Sequence, residues 1–377
     1  MRLPALRLIA ALCGVSLCGP LVAVAQTAPG AKAPQPAIAW HDVTTWGLEG
    51  RAWPEMERLR WFDRLPAIAQ GSVTDKVWSL SRDSSGMMVR FETDSPEIWS
   101  DYALQRPQLN GANMTPIGAS GLDLYARDDA GQWRWVGVTR PNAQTIKQKI
   151  IDGLAPGSRE YAIYLPLRNG IESLSIGVLA TARFKPLAPR TEKPIVFYGT
   201  SITHGASASR PGMVHPAIIG RHLDRPVINL GFSGNGRMDA AVGELLVKID
   251  AAVFVIDCLP NMGPEMVLER CIPLVRQLRA ARPETPIVLV EDRLNTNSGI
   301  LPARDAHHTR NHAALRECYQ QLLGDGVENL YYVSGDNLLG HDNEGATDGS
   351  HPSDLGFMRQ AAIFEPVIKA ALEGRKL

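Results

Sequence analysis

Residues 195–205 read IVFYGTSITHG, and this stretch decides the fold of the second half of the chain. Its first four residues are apolar and have the length of a buried β-strand. Glycine, threonine and serine follow, and they are typical of a turn that starts a helix. Ser201 is therefore predicted to lie at a strand-to-helix junction, with its hydroxyl exposed at the end of a sheet.

Five apolar runs of strand length occur in the second half of the chain, at 195–198, 227–230, 252–256, 287–290 and 330–333. Between them, segments 264–281 and 310–326 carry apolar residues at three- and four-residue spacing, which predicts helices. Strands that alternate with helices form a parallel sheet with helices on both faces. The second half is therefore predicted to be an α/β domain with three layers.

A polar cluster follows four of these five strands. GTSIT follows the first strand, GFSGNG the second, DCLPNM the third and DGSHPSDLGF the fifth. In open α/β sheets, ligands bind outside the carboxyl ends of the strands. We therefore expect the four clusters, which are far apart in the sequence, to converge in space.

These clusters contain the groups that a serine hydrolase needs. Such an enzyme uses a hydroxyl nucleophile, an imidazole base, a group that orients the imidazole, and N–H donors for the oxyanion. Ser201 can supply the hydroxyl, His351 the base, and Asp348 can fix the tautomer of the ring. The Ser201 N–H, a glycine of GFSGNG and the Asn261 amide can supply the donors.

In this order, the four clusters resemble the conserved blocks of the SGNH (GDSL-like) hydrolase superfamily. The resemblance implies a flavodoxin-like α/β/α fold. It implies Ser201 as the nucleophile, with Asp348 and His351 as the D-x-x-H pair. It also implies Gly234 and Asn261 as partners of the Ser201 N–H in the oxyanion hole.

Two blocks depart from the usual pattern of this superfamily. The typical GDS is GTS here, so Thr200 stands in place of the acidic residue. The third block is LPNM where G-x-N-D is usual, so Asn261 is retained while its neighbours differ. These differences argue against long-chain lipase activity more than against the triad.

The preceding part of the chain has a different periodicity. From residue 40 to 187, several segments alternate apolar and polar residues, and DDAG at 128–131 separates two of them as a turn. This pattern predicts an antiparallel β-sandwich over 40–187. The proline-containing segment 186–194 is predicted to link it to the α/β domain, residues 188–377.

A narrower resemblance covers nearly the whole chain after the amino-terminal segment. FDRLPA at 62–67, and above all GLDLY at 121–125, are similar to the jelly-roll-like β-sandwich that precedes the catalytic domain in a group of bacterial SGNH esterases. Enzymes of this two-domain kind are mostly linked to removal of acetyl groups from carbohydrate. The resemblance thus implies a serine esterase that acts on acetyl esters of a sugar.

Other functions stay open at this point. Within enzymes, the alternatives are a lipid esterase and an acyl-thioesterase. Outside enzymes, the alternative is a carbohydrate-binding protein with a degenerate hydrolase domain. Retention of every catalytic residue type favours the enzyme.

Residues 1–25 are typical of an export signal. Two arginines flank the start, residues 8–24 are almost entirely apolar, and the stretch ends in an AVA cleavage motif. We therefore expect a bacterial protein that is exported to the periplasm or the medium, without stable membrane insertion after cleavage. Residues 26–39 are rich in Ala, Pro and Gly and are predicted to be a flexible lead.

The charge balance favours a small neutral substrate, and the resemblance implies that this partner is an acylated small molecule or an acylated polysaccharide. Lys and Arg total 39 and so do Asp and Glu, and no basic run suggests nucleic acid. Gly231, Gly234 and Gly236 have the wrong order for a dinucleotide site, so no cofactor is expected.

Two further clusters receive structural interpretations. His308 and His312 are four residues apart but lack the acidic partner of a zinc motif. With His307, they are predicted to be exposed at the start of a helix, and no metal is expected. Asp123 and Tyr125 are expected to hold the sandwich together rather than to contact substrate.

The remaining aromatic and thiol side chains are expected to pack. Trp133 and Trp135 share one face of a strand, which favours packing over a sugar-binding platform. Cys258 is predicted to be a small buried residue. Cys271 and Cys318 lie on two predicted helices whose relative faces the sequence leaves open.

Overall fold

The computed structural model describes residues 36–376. The predicted signal peptide, 1–25, lies outside the described residues, and so does the predicted lead up to residue 35. From Ala37 onward, the chain forms one compact unit. None of the helices in 36–376 has both the length and the apolar character that a bilayer span requires.

The first half of this unit is built from nine strands. They are β1 (Ile38–Asp42), β2 (Met88–Thr93), β3 (Ile98–Leu104), β4 (Asp123–Arg127), β5 (Trp133–Val138), β6 (Thr145–Ile151), β7 (Arg159–Tyr164), β8 (Ile171–Leu179) and β9 (Phe184–Leu187). All pair antiparallel, in one sheet of order β1-β8-β3-β6 and another of order β5-β4-β7-β2-β9. Two short helices, α1 (Asp75–Leu80) and α2 (Pro116–Ser120), lie in the connections.

The two sheets pack face to face. Phe91 and Leu124 from one sheet meet Tyr102 and Ile176 from the other in a buried apolar cluster. Along β3, buried residues alternate with half-exposed ones, as expected when one face of a strand points into such a core. The predicted antiparallel β-sandwich is therefore confirmed.

The sandwich begins earlier than predicted. Residues 38–39, assigned above to the flexible lead, belong to β1 and pair with β8. β1 lies at the edge of its sheet, and four of its five residues are half-buried. A strand of this kind lacks the apolar alternation on which the prediction depended.

The second half of the unit is a parallel sheet covered by helices. Its strands are β10 (Ile195–Gly199), β11 (Val227–Gly231), β12 (Val253–Asp257), β13 (Ile287–Val290) and β14 (Leu330–Val333). Its helices are α3 (Ser201–His204), α4 (His215–His222), α5 (Ala240–Leu246), α6 (Pro264–Ala281), α7 (Pro302–Gly324) and α8 (Asp354–Leu372). The sheet order β11-β10-β12-β13-β14 is the flavodoxin-like arrangement.

The two faces of this sheet carry separate cores. Val196 and Tyr198 of β10 belong to the cluster that also contains α5, α6 and α7 residues. Ile195 and Phe197 belong to the cluster that contains α4 and α8 residues. The fold is therefore the three-layer α/β/α domain that the sequence predicts.

Most strands and helices of the α/β half have bounds close to those predicted from the sequence, but one helix begins earlier. β13, β14 and α6 have the predicted bounds, and β12 is shifted by one residue. The helix predicted for 310–326 begins at Pro302 instead, with proline in its first turn. Proline is well suited to this position, since its missing N–H has no partner within a helix.

The connection between β1 and β2 packs into the α/β half. Trp53, Leu65 and Val77 are buried in the same cluster as Tyr198 of β10. The indole Nε1 of Trp53 donates to Leu245 O at 3.0 Å. Segment 50–80 therefore lies between two sandwich strands in sequence but supplies part of the core of the α/β half.

The predicted linker is also attached on both sides. Arg190, within 186–194, donates to Glu49 from Nη2 at 2.8 Å and to Asp224 from Nη1 at 3.0 Å. Its side chain is 15% exposed. Glu49 lies on the sandwich side and Asp224 follows α4, so this arginine joins the two halves.

We predict that Trp53→Ala destabilises the whole unit by about 3–5 kcal/mol, because it leaves a cavity in a buried core and an unpaired carbonyl at Leu245. Guanidinium-induced unfolding measures the free energy, and hydrogen exchange over α5 reports the site. The control Ile68→Ala removes a side chain that is 55% exposed and should change stability by less than about 0.5 kcal/mol. A stable Trp53→Ala variant with unchanged α5 exchange would contradict the shared core.

Candidate active site

Ser201 is the first residue of a single-turn helix at the end of β10. Thr200 precedes it, and its Oγ1 accepts from the Ile202 N–H at 3.3 Å. Gly205 ends the helix with a left-handed φ of 106°, which glycine adopts at little cost. The N–H of Ser201 lies in the first turn, where the helix itself offers no acceptor. It can therefore donate to a substrate oxygen.

The second polar cluster, GFSGNG at 231–236, lies in close contact with the first, GTSIT at 199–203. A Cβ at Gly236 would lie 1.9 Å from Gly199 O, so only glycine allows this approach. Residues 232–235, just before Gly236, form a tight turn in which the Asn235 N–H donates to Phe232 O at 2.8 Å. Gly234 is the third residue of that turn, with a φ of 70°, a conformation that glycine supplies. Among residues 36–376, no acceptor is assigned to the Gly234 N–H.

His351 meets Ser201 across the cleft. Its Nε2 lies 2.9 Å from Ser201 Oγ, and its Nδ1 lies 2.8 Å from Asp348 Oδ2. The carboxylate is fixed in turn, because Asp348 Oδ1 accepts from the His351 N–H at 2.8 Å and the Ser350 N–H at 3.0 Å. This network assigns the proton of the neutral ring to Nδ1, so Nε2 can accept the Ser201 proton.

The electrostatics of Asp348 suit this arrangement. Partial burial acts to raise its pKa, but hydrogen bonds from His351 and Ser350 outweigh that effect, and the pKa lies below its ordinary value. Asp348 is therefore ionised at neutral pH. An ionised carboxylate beside the ring stabilises the imidazolium that forms when His351 accepts a proton.

Asn261 is oriented by the backbone of the second cluster. The hydrogen-bonding network directs its side-chain oxygen to the N–H groups of Asn235, at 3.1 Å, and Gly236, at 3.2 Å. This orientation leaves the NH₂ group to donate elsewhere. The structure therefore brings together Ser201, Asp348 and His351, and it joins Asn261 to the turn that carries Gly234.

Arg293 is a residue of this region that sequence reasoning missed. Its Nε donates to Ser350 O at 2.9 Å, and its Nη2 donates to Ser350 Oγ. Ser350 lies between Asp348 and His351, so Arg293 holds the loop that carries the base. The sequence contains a signal for it, because the polar run 291–293 directly follows the fourth strand.

The prediction that His308 and His312 are exposed is wrong. Their side chains are 3% and 4% exposed. Both contact Asp292, which pairs with the neighbouring Arg293. His312 Nε2 lies 2.8 Å from Asp292 O, and His308 Nδ1 lies 3.2 Å from Asp292 Oδ2. Because α7 begins at Pro302, both residues lie well inside the helix and on its buried face.

A group of possible metal ligands involves the same histidine. Ligand atoms of Glu291, His312 and Asp336 lie within 4.8 Å of one another. Glu291 already accepts from Tyr332 Oη at 2.7 Å and from Arg316 Nε at 2.6 Å. Its other oxygen, Oε2, accepts from the Gly335 N–H at 2.7 Å, so both carboxylate oxygens of Glu291 already have protein donors.

Asp123 and Tyr125 do more than hold the sandwich together. Asp123 Oδ2 accepts from the Gly212 N–H at 2.8 Å and from Arg210 Nη1 at 2.9 Å. Arg210 also donates to the Tyr125 hydroxyl. The G-x-D-L-Y motif thus fastens the sandwich to the segment that follows α3. Trp135 donates to Asp123 Oδ1 at 2.9 Å and stays 50% exposed, so its packing is only partial.

The three cysteines of the described residues are buried free thiols. Cys258 is 0% exposed, and its Sγ lies 3.5 Å from Tyr198 O, in agreement with a small packing residue. Cys271 of α6 and Cys318 of α7 lie in the same buried cluster, and Cys318 Sγ donates to Val267 O at 3.7 Å.

Comparisons with known proteins identify the family of each half of the chain. The sequence model of the GDSL-like lipase/acylhydrolase family matches residues 192–369. The GxDLY model, described as the N-terminus of SGNH-hydrolase-type esterases, matches residues 38–184. A search of curated proteins finds no significant match.

Solved structures share the fold over most of this chain. A protein described as a GDSL-like lipase from Bacteroides ovatus ATCC 8483 is 34% identical, with a TM-score of 0.84 over 89% of this chain and 98% of that chain. A salicylyl-acyltransferase from a tetracycline biosynthetic pathway is 20% identical, with a TM-score of 0.69 over 88% and 97%. A family two carbohydrate esterase from Cellvibrio japonicus is 13% identical, with a TM-score of 0.58 over 89% and 98%.

The chain therefore belongs to the GDSL-like lipase/acylhydrolase family and is an SGNH-type hydrolase with an N-terminal GxDLY domain. The last two structures are less than 25% identical to it, so they show a shared fold.

A buried carboxyl group lies behind the site. Asp257 ends β12 and pairs in register with Gly199, and its Oδ2 accepts from Thr203 Oγ1 at 2.7 Å. Burial raises its pKa to about 7, against the smaller effect of the Thr203 hydrogen bond. Its protonated form is therefore the one that the fold favours.

We predict that Asp257→Asn raises the free energy of unfolding at pH 8 by up to ~4 kcal/mol and changes it little at pH 4. The folded-state pKa lies above the unfolded one, so the stability linked to this proton is complete below about pH 4 and is lost as the pH rises through about 7. Asparagine resembles the protonated acid at every pH. Denaturant unfolding at both pH values measures the difference.

The control Asp129→Asn changes an exposed turn residue and should leave stability unchanged at both pH values. An Asp257→Asn variant that loses stability at pH 8 would show that the ionised carboxylate is the favoured form.

Proposed function

We propose that this protein is an exported serine esterase that removes acyl groups, above all acetyl, from carbohydrate through an acyl-enzyme intermediate. The observation that carries the proposal is the contact chain from Ser201 Oγ to His351 Nε2, at 2.9 Å, and from His351 Nδ1 to Asp348 Oδ2, at 2.8 Å. A hydroxyl, a base and an ionised orienting group in this order are the parts of a nucleophilic hydrolase.

In the first step, Ser201 Oγ attacks the ester carbonyl while its proton passes to His351 Nε2. Asp348 stabilises the resulting imidazolium. The N–H groups of Ser201 and Gly234 and the Asn261 amide donate to the oxygen that becomes negative. The carbon–oxygen bond to the alcohol then breaks, and His351 returns its proton to the leaving alkoxide.

In the second step, water attacks the acyl-serine. His351 takes a proton from the water, and the same donors stabilise the second oxyanion. Collapse releases the carboxylic acid, and Ser201 Oγ regains a proton from His351. Every proton transfer uses one ring nitrogen, so the chemistry needs nothing beyond the residues named.

The substrate class rests on the surroundings of this site. The oxyanion turn is polar, since Ser233 and Asn235 belong to it and Arg168 donates to Ser233. The segment after β13 lies beside the base, because the Thr296 N–H donates to Gly349 O at 2.9 Å. Polar walls suit a hydroxylated alcohol carrying a short acyl group. The fold shared with a carbohydrate esterase supports this choice, and residues 1–25 support export.

We predict that Ser201→Ala and His351→Ala each lower kcat on an activated acetate by about 10³-fold or more, and that the double variant is little worse, because the two residues act as a unit. Melting temperatures should stay close to that of the wild type. The matched control His222→Ala removes an exposed histidine of the same domain and should retain full activity. Multiplicative losses in the double variant would contradict the assignment.

We also predict a steep dependence on acyl length, with kcat/KM falling at least about tenfold from acetyl to butyryl esters, because a short-acyl pocket rejects added methylenes. A second measurement tests whether the alcohol of the ester is a carbohydrate. Acetate release from acetylated polysaccharides is followed by mass spectrometry, with Ser201→Ala as the blank. Rates that rise with chain length would indicate a lipid esterase, and a preference for thioesters would indicate a thioesterase. If the protein shows no turnover and is not labelled by a serine-reactive phosphonate, the results would favour the alternative that it is a carbohydrate-binding protein.

A further inference from the structure

Arg168 is the residue through which the sandwich reaches the oxyanion turn. It lies between β7 and β8, and its Nη1 donates to Ser233 Oγ at 2.6 Å. Ser233 directly precedes Gly234 in that turn. The backbone of Arg168 is fixed as well, since its N–H donates to Ala119 O at 3.0 Å and its carbonyl accepts from the Arg106 side chain.

Ser233 also contacts a buried histidine–carboxylate pair. Its Oγ lies 3.1 Å from His204 Nδ1, and His204 Nε2 lies 3.3 Å from Asp83 Oδ2. Because the ionised Asp83 carboxylate can only accept, it assigns the ring proton to Nε2, which leaves Nδ1 to accept from the Ser233 hydroxyl. His204 is 0% exposed and Asp83 is 2% exposed. His204 ends the helix that Ser201 begins, so one network holds both the nucleophile and the oxyanion turn.

This array has the composition of a triad, but it is not built for nucleophilic chemistry. Burial, assisted by the charge of Arg64, lowers the pKa of His204 to about 3, so the ring is a weak base. The guanidinium of Arg168 occupies a lone pair of the Ser233 oxygen and weakens it as a nucleophile. The array therefore suits anchoring.

The oxyanion turn needs such an anchor. Gly234 has a left-handed φ and open space where a Cβ would be, so its own packing does not fix it. On one side the turn is held by the Asn261 oxygen, which accepts from Asn235 and Gly236. On the other side it is held by Arg168 through Ser233.

We propose that Arg168 is a positioning residue for the oxyanion hole, so that the β-sandwich completes the active site of the α/β half. The inference rests on the proposed function, since it assigns a role within that same reaction. Arg168 acts through Ser233 and holds the Gly234 N–H at the place where negative charge develops. A donor displaced from that place loses most of its effect on the transition state.

The test uses the full chain and a small activated acetate, which is too small to contact distant parts of the sandwich. Arg168→Ala should lower kcat about 10- to 100-fold with KM within about threefold, and Arg168→Lys should recover part of the loss. Ser233→Ala should give a similar loss, and the double variant should be no worse than either single one, because both remove the same anchor.

The matched control is Arg127→Ala. Arg127 is also a sandwich arginine that pairs with the α/β half, through Asp224 at 2.5 Å, but it is not connected to the turn. It should leave kcat unchanged. A second measurement, hydrogen exchange over residues 232–236, should be faster in Arg168→Ala and unaltered in Arg127→Ala. Should Arg168→Ala fail to fold, Arg168→Lys and Ser233→Ala carry the same test.

The outcomes separate this inference from the proposed function. Suppose that activity of the wild type depends on Ser201. The inference is then overturned if the Arg168 and Ser233 variants keep full kcat, raise KM alone, or show unaltered hydrogen exchange. The esterase assignment stands in each of these cases. If the wild type neither hydrolyses the acetate nor reacts with the phosphonate, the proposed function fails and the role of Arg168 fails with it.

Discussion

The site depends on the close approach of three strand ends. Gly199 pairs in register with Gly231 on one side and with Asp257 on the other. A Cβ at Gly236 would collide with Gly199 O, and one at Gly231 would lie 2.2 Å from the His204 N–H nitrogen. The backbones after the first two strands can therefore touch only because these positions are glycine. This contact brings the nucleophile next to the oxyanion turn, and Asn261 follows from the third strand.

A second constraint is the set of buried charges that cross from the first half of the chain. Arg64 is fully buried and donates to Gly231 O at 2.8 Å and to Asn229 O at 3.1 Å, at the end of β11. A charge in such a place is tolerated only when every donor finds a partner, since an unpaired one costs several kcal/mol. The α/β half is thus folded around side chains of the preceding half, and catalysis and folding share the same contacts.

Regular elements were predictable where one face of the element is buried. The run 287–290 and the helix 264–281 have the predicted bounds because their apolar periodicity is strong. The start of the edge strand β1 was missed because four of its five residues are half-buried, without apolar alternation. His308 and His312 were predicted to be exposed because they lack the acidic partner of a metal motif, but their spacing also continues the buried face of α7.

The sequence by itself determined the α/β alternation, the sandwich and the pairing of Asp348 with His351, because each depends on local periodicity or on four consecutive residues of one loop. The tertiary structure alone decided which distant side chains support them. Arg168 contacts Ser233 and Arg293 contacts Ser350, each across more than fifty residues of sequence. No local pattern marks such a contact, since an arginine in a loop is ordinarily solvated and becomes an anchor only where packing buries it beside an acceptor.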